Sequence, residues 1–174
     1  MITNLSKLTH FMTNKKILFI CLGNICRSPA AEEIMKSIIK ENNMEELIDV
    51  DSAGTIPYHN GELPDHRMRK HAEKRGYNLS HKSRLFNPEK DFINFDYIVV
   101  MDDQNYEDIK LQDLGGNYIN KIFKMVQFCK KFNVNRVPDP YNLGPQGFED
   151  VLNILEDGCS GLLKKVKDEI KLPN

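Results

Sequence analysis

Residues 17–29 read Ile17-Leu18-Phe19-Ile20-Cys21-Leu22-Gly23-Asn24-Ile25-Cys26-Arg27-Ser28-Pro29. An unbroken apolar run of this length is the pattern of a strand buried on both faces. Gly23 and Asn24 then make a turn; Asn24 is a residue type that tolerates left-handed dihedrals. Ser28-Pro29 opens a helix, with Ser28 read as its cap and proline placed where a first-turn N–H has no partner anyway. Such a strand-to-helix turn aims successive backbone N–H groups at one point, and the helix N-terminus adds partial positive charge there. Cys21 puts a thiol at the floor of that cradle, and Arg27 supplies a planar fork for two oxygens of a tetrahedral oxyanion. The same field favours the thiolate of Cys21, from an ordinary pKa of ~8.5 toward the ~3.5–7.5 of activated cysteines. C-x5-R alone is a weak pattern. Between an apolar strand and a helix it points to an oxyanion site with a nucleophile, against the plainer reading of two core cysteines and a surface arginine.

Outward from this stretch, strand signals fall at about 16–21, 48–53, 97–101 and 121–126, with helical patterns between them. Residues 29–42 carry Ala31, Ile34, Met35, Ile38 and Ile39 on one face. Shorter helices are expected over 65–75, stopped near Gly76, and over 103–114. A long one over 146–170 repeats Phe148, Val151, Leu152, Leu155, Cys159, Leu162, Leu163 and Val166, with Gly158 and Gly161 weakening its middle. The alternation predicts an α/β fold: a parallel sheet covered by helices on both faces, with ligands bound at the carboxyl ends of its strands.

The chain has 174 residues and a formal net charge of −1, with both signs of charge mixed along it. One domain over 15–174 is expected, preceded by a short extension over 1–14 that lacks the apolar core of a signal peptide. No basic stripe or polybasic segment points to nucleic acid or a membrane surface, and no apolar run reaches the ~20 residues of a membrane span. Cys21, Cys26, Cys129 and Cys159 form no C-x2-C pair and have no accompanying histidine pair, so no metal is assigned. Cys129 and Cys159 read as core filler, and the set suits a reducing cytoplasm. Cys21 and Cys26 share one tight loop, so an oxidised Cys21 could be trapped by Cys26 as a disulfide. His59, His66 and His71 read as solvated surface, and Asp102 and Asp103 as a loop or helix cap.

The loop at 21–29, D-S-A-G-T at 51–55, L-S-H-K-S-R at 79–84, V-V-M-D at 99–102 and V-P-D-P-Y at 137–141 follow one another in family order. Over about residues 15–165 the chain thereby resembles the low-molecular-weight protein tyrosine phosphatases. The resemblance implies a four-stranded sheet in order 2-1-3-4 and a phosphate loop after the first strand. It implies hydrolysis of phosphotyrosine in protein substrates through a phosphocysteine on Cys21, without cofactor, and binding of inorganic phosphate or similar oxyanions. Arg27 and the backbone N–H groups of Leu22, Gly23, Asn24, Ile25, Cys26 and Arg27 would hold the phosphate. Asp139, between two prolines, would act as general acid and then as base. Ser28 would donate to the thiolate, and Ser52 and His81 would support Asn24. Leu22, Ile25, Tyr58 and Tyr141 would wall the ring, while Asn142 departs from the second tyrosine common at its position. Alternatives are an arsenate reductase, which needs further nearby cysteines, and a protein-arginine phosphatase, which tends to carry threonine where this chain has Ile25. A phosphoprotein-binding module without turnover is the reading from another class; Cys21, Arg27 and Asp139 together argue against it.

Overall fold

The computed structural model describes residues 14–170; the extension expected over 1–14 lies, apart from Asn14, outside the described residues. The chain runs β1 (Lys15–Cys21), α1 (Arg27–Glu41), β2 (Ile48–Gly54), α2 (His66–Glu73), α3 (Pro88–Asn94), β3 (Tyr97–Val100), α4 (Asp103–Lys110), β4 (Ile122–Lys124) and α5 (Pro145–Ile170). All strand pairs are parallel, in the order β2-β1-β3-β4. The register sets Cys21 opposite Gly54 and Ile20 opposite Val100, so the end of β1 lies between the ends of its two neighbours.

Side chains alternate across a strand, and β1 shows this directly. Ile17, Phe19 and Cys21 face the core shared with α1 and α5, whereas Leu18 and Ile20 face Phe86, Phe92, Ile98, Ile109 and Ile122. Both faces are therefore apolar, as the uninterrupted run required. Cys21 ends on the α1 face, beside the start of that helix.

Three local expectations change. Helix α1 begins at Arg27 with Cys26 at its N-cap and no side-chain cap bond, so Ser28 does not cap it. Its hydroxyl is turned inward instead. Helix α3 has no counterpart in the sequence reading, because seven residues are too few to show a period. Its signals are local: Asn87 caps it by accepting from Glu89 N and Lys90 N, and Pro88 opens it. The fourth strand stops at Lys124, and Met125–Phe128 turns into a 3-10 helix.

That turn explains the glycines of α5. A Cβ on Gly158 would run into the Met125 side chain, and one on Gly161 into the carbonyl of Phe128. The small residues admit close approach rather than merely weakening the helix. Gly161→Ala should therefore destabilise the protein by about 1–3 kcal/mol, overpacking outweighing the gain of ~1 kcal/mol in helix propensity. Thermal denaturation should show a melting point lower by about 2–12 °C; an unchanged or higher Tm would contradict the packing described.

Candidate active site

The loop from Leu22 to Cys26 is held from outside through its carbonyls. Thr55 N donates to the carbonyls of Cys21 (3.0 Å) and Leu22 (2.9 Å), and Ile56 N also reaches Leu22 O. Ser83 Oγ donates to Gly23 O at 3.1 Å, and Asp65 N to Ile25 O at 2.8 Å. In a trans peptide the following N–H points opposite to the carbonyl. Turning these carbonyls outward thus turns the next N–H groups toward the centre of the loop. Gly54 permits this: a Cβ there would sit 2.9 Å from Leu22 O and 3.2 Å from Asn24 N.

Asn24 is buried and left-handed, with φ 54°. Its Nδ2 donates to Ser28 Oγ and to Ser52 Oγ, both at 2.9 Å, and its Oδ1 accepts from Arg84 N at 3.0 Å. Ser28 Oγ lies 3.0 Å from Cys21 Sγ and 3.4 Å from Ala53 O. A hydroxyl has one proton. Since Ser28 accepts from Asn24, that proton is left to donate, and the sulfur is the nearer acceptor. Ser52 in turn donates to Glu32 Oε2 at 2.6 Å. His81 Nδ1 is 3.5 Å from the same oxygen and joins the network there, with Glu32 and Ser52 between it and Asn24. Glu32 is buried and was missed by sequence reading; its place one helical turn beyond Ser28 is the signal that could have found it. Ligand-type atoms of Glu32, Asp51 and His81 lie within 4.8 Å of one another. The two carboxylates already face cations: Lys36 pairs with Glu32 and Arg84 with Asp51.

Arg27 is 2% exposed. Its Nη1 donates to Asp102 Oδ2 at 2.6 Å and to Val137 O at 3.1 Å, and its Nη2 to Asp139 Oδ2 at 3.1 Å. Its Nε is buried without a partner. Burial opposes the guanidinium charge, but Cys21, Asp139 and Asp102 together hold its pKa above the ordinary value. Asp102 is a cap, as read, since its Oδ1 accepts from Asn105 N in the first turn of α4. It is also the anchor of Arg27, which the sequence did not show. Asp139 is half-exposed at the mouth, and its Oδ1 accepts from Tyr141 N at 3.1 Å. Burial, reinforced by the negative charges of Cys21, Asp65 and Asp139, pushes the Cys26 thiol far above its usual range. Cys26 stays protonated at neutral pH.

These groups open into a cavity of about 300 Å³ with Cys21 and Arg27 in its lining. Leu22, Ile25, Tyr58 and Tyr141 line it, together with Ile56, His59 and Asn142. His59 is thus not simply solvated surface. It pairs with Glu62 at 2.6 Å, meets the Tyr58 ring edge-on at 4.8 Å and covers Gly23, where a Cβ would come within 2.9 Å of its ring. His71 is also engaged, paired with Glu149 at 2.5 Å and stacked on Phe148.

Residues 16–172 match the family model described as low molecular weight phosphotyrosine protein phosphatase. The human low molecular weight phosphotyrosine protein phosphatase is 33% identical over 154 residues, covering 87% of this chain and 95% of the human one. A crystal structure of a protein tyrosine phosphatase from Entamoeba histolytica, with Hepes in its active site, superposes with a TM-score of 0.86 at 47% identity. It covers 90% of this chain and 99% of that one. A drosophila arginine phosphatase superposes with a TM-score of 0.81 at 30% identity, covering 87% and 98%. With the family model matching nearly the whole described chain and relatives of that name 33% identical over 87% of it, the protein belongs to the low molecular weight phosphotyrosine protein phosphatase family, a family of hydrolases.

Proposed function

We propose that the protein hydrolyses phosphotyrosine in protein substrates through a phosphocysteine on Cys21, without a metal. The observation that carries this reading is the loop itself: carbonyls pinned outward, N–H groups turned inward, a thiol beneath them and an unpartnered Arg27 Nε beside it. That is a cradle for an oxyanion with several oxygens. The Cys21 thiolate attacks phosphorus, and the bond to the ester oxygen breaks. Asp139 gives that oxygen its proton as it leaves. Asp139, now a carboxylate, then takes a proton from water as the water attacks phosphorus. The P–S bond breaks, phosphate leaves and the thiolate returns. Ser28 supports the sulfur's negative charge at both stages through the 3.0 Å contact.

Two observations favour this over an arsenate reductase. Cys159 is fully buried under α1, its Sγ directed at Ala31 O, and Cys129 packs on α5. Burial raises the thiol pKa of Cys129 to about 11 and that of Cys159 well above its usual range, and neither lines the cavity. No second thiol besides Cys26 is thus at hand for electron transfer. The arginine phosphatase among the structural relatives keeps a second substrate open; against it stands Ile25, which has no hydroxyl to offer. Free cysteines suit a reducing cytoplasm, where we place the protein. Among the described residues no helix is long and apolar enough to cross a membrane.

Matched peptides carrying phosphotyrosine, phosphoarginine and phosphoserine test the assignment. Burying an aromatic ring in the cavity is worth ~1.5–3 kcal/mol, so phosphotyrosine should lead phosphoserine by about 10–150-fold in kcat/KM. Phosphoarginine should be weak, and Cys21→Ser inactive on all three. A phosphoarginine preference would overturn the substrate class, and turnover by Cys21→Ser above a few per cent would overturn the covalent route.

Asp139→Asn should slow phenyl phosphate, a poor leaving group, by ~10²–10⁴-fold, and p-nitrophenyl phosphate much less. Equal losses on both esters would remove Asp139 from proton transfer.

Hydrogen peroxide should inactivate the enzyme reversibly. Cys21 is oxidised to a sulfenic acid, and the Cys26 thiol condenses with it, releasing water and forming a disulfide. Mass spectrometry after mild oxidation should find a Cys21–Cys26 crosslink. If Cys26→Ser recovers with reductant as fully as the unaltered protein, Cys26 has no protective part.

A further inference from the structure

Arg67 stands in the first turn of α2 and joins two loops that the chemistry needs in register. One side of its guanidinium is held by Asp65, with Nη2 to Oδ2 at 2.8 Å and Nε to Oδ1 at 3.1 Å. Asp65 is itself tied to the phosphate loop, its N–H donating to Ile25 O at 2.8 Å. It also caps α2, accepting from Arg67 N at 2.8 Å. The remaining nitrogen of Arg67, Nη1, donates to the carbonyl of Tyr141 at 3.0 Å, two residues beyond Asp139. The guanidinium also lies 5.0 Å from the centre of the Tyr141 ring and 5.1 Å from that of Phe148 in α5. Hydrogen bonds from Arg67 hold the Asp65 carboxyl below its ordinary pKa although burial works against them.

Among the described residues, two side-chain bonds tie the segment 139–142 to the rest of the molecule: Arg27 to Asp139, and Arg67 to Tyr141 O. The first is exchangeable. An oxyanion in the cradle competes with Asp139 for Arg27 Nη2, and Asp139 must leave that contact to reach the leaving oxygen. Arg67 is then the tether that remains. We propose that Arg67 is a positioning residue, which fixes the Asp139 segment to the phosphate loop through Asp65 and Tyr141. The proposal rests on the reading of Asp139 as general acid. Arg67 is not a free cation for substrate, because each of its side-chain nitrogens has a partner. A lysine cannot replace it: one ammonium does not span the Asp65 carboxylate and the Tyr141 carbonyl with a planar fork.

The test is kcat/KM, which reports the steps through phosphocysteine formation, on phenyl phosphate and p-nitrophenyl phosphate. It compares the unaltered protein with Arg67→Met, Arg67→Lys, Asp139→Asn and the Arg67→Met/Asp139→Asn double variant. A misplaced acid should lower kcat/KM on phenyl phosphate by about 10–100-fold in both Arg67 variants. On p-nitrophenyl phosphate, and in inhibition by inorganic phosphate, both should stay within about 2-fold, since Arg67 touches neither nucleophile nor cradle. In the Asp139→Asn background, Arg67→Met should add nothing on phenyl phosphate, because the two act as one unit. Losses equal on both esters, full activity of Arg67→Lys, or an undiminished further loss in the double variant would each overturn the proposal. A loss of folding common to both Arg67 variants, seen by thermal denaturation, would overturn it in favour of a structural role. Should Asp139→Asn itself show no leaving-group dependence, the acid assignment fails first and this proposal falls with it. Arg67 failing while Asp139→Asn behaves as expected overturns the positioning role alone.

Discussion

A left-handed asparagine buried beneath a loop of outward-facing carbonyls is the constraint on which this site depends. Asn24 holds a backbone conformation that disfavours most L-residues by roughly 1–2 kcal/mol, and three hydrogen bonds from its side chain offset that strain. Those bonds reach Ser28 in α1, Ser52 in β2 and the backbone at Arg84. Loop shape is therefore set jointly by a helix, a strand and a distant segment. A loop fixed in this way presents its N–H groups without reorganising when an oxyanion arrives, which is the condition for such donors to stabilise a transition state strongly.

The charges follow a division of labour. Arg27 is almost wholly buried, and a buried cation without partners would be severely destabilising. Asp102 supplies a permanent partner and is itself locked as the cap of α4. Asp139 supplies a second at the mouth, on a half-exposed segment. One carboxylate steadies the arginine from within, and the other, at the mouth, is the proposed acid.

The two loop cysteines are five residues apart and sit in opposite environments. Cys21 faces the Ser28 hydroxyl and the cradle, while Cys26 is desolvated and flanked by the negative charges of Cys21, Asp65 and Asp139. Both sulfurs are buried, so it is their neighbours, a hydroxyl beside Cys21 and negative charges around Cys26, that suit the first to the proposed attack and the second to capturing an oxidised neighbour. Cys129 and Cys159, also raised by burial, lie among core residues away from the cavity.

Sequence alone determined β1, the turn at Leu22–Cys26, the helix that follows, and the parallel α/β architecture. Those are local matters: an apolar run, a turn-prone pair, a proline at a helix start and an alternation of periods. The family motifs extended this to the strand order and singled out Cys21, Arg27 and Asp139, which the structure brings to one cavity. Pairings across the fold were not legible. Arg27 meets Asp102 and Asp139 across 75 and 112 residues, and Arg67 meets Tyr141 across 74. No pattern in a linear chain encodes which surface charge will face which. For the same reason Ser28 read locally as a cap, Glu32 gave no signal, His59 read as surface, and Gly161 appeared only to weaken its helix. Tertiary structure decided each, because the role of a hydroxyl, a carboxylate or a missing Cβ depends on what packing brings within a few ångströms of it.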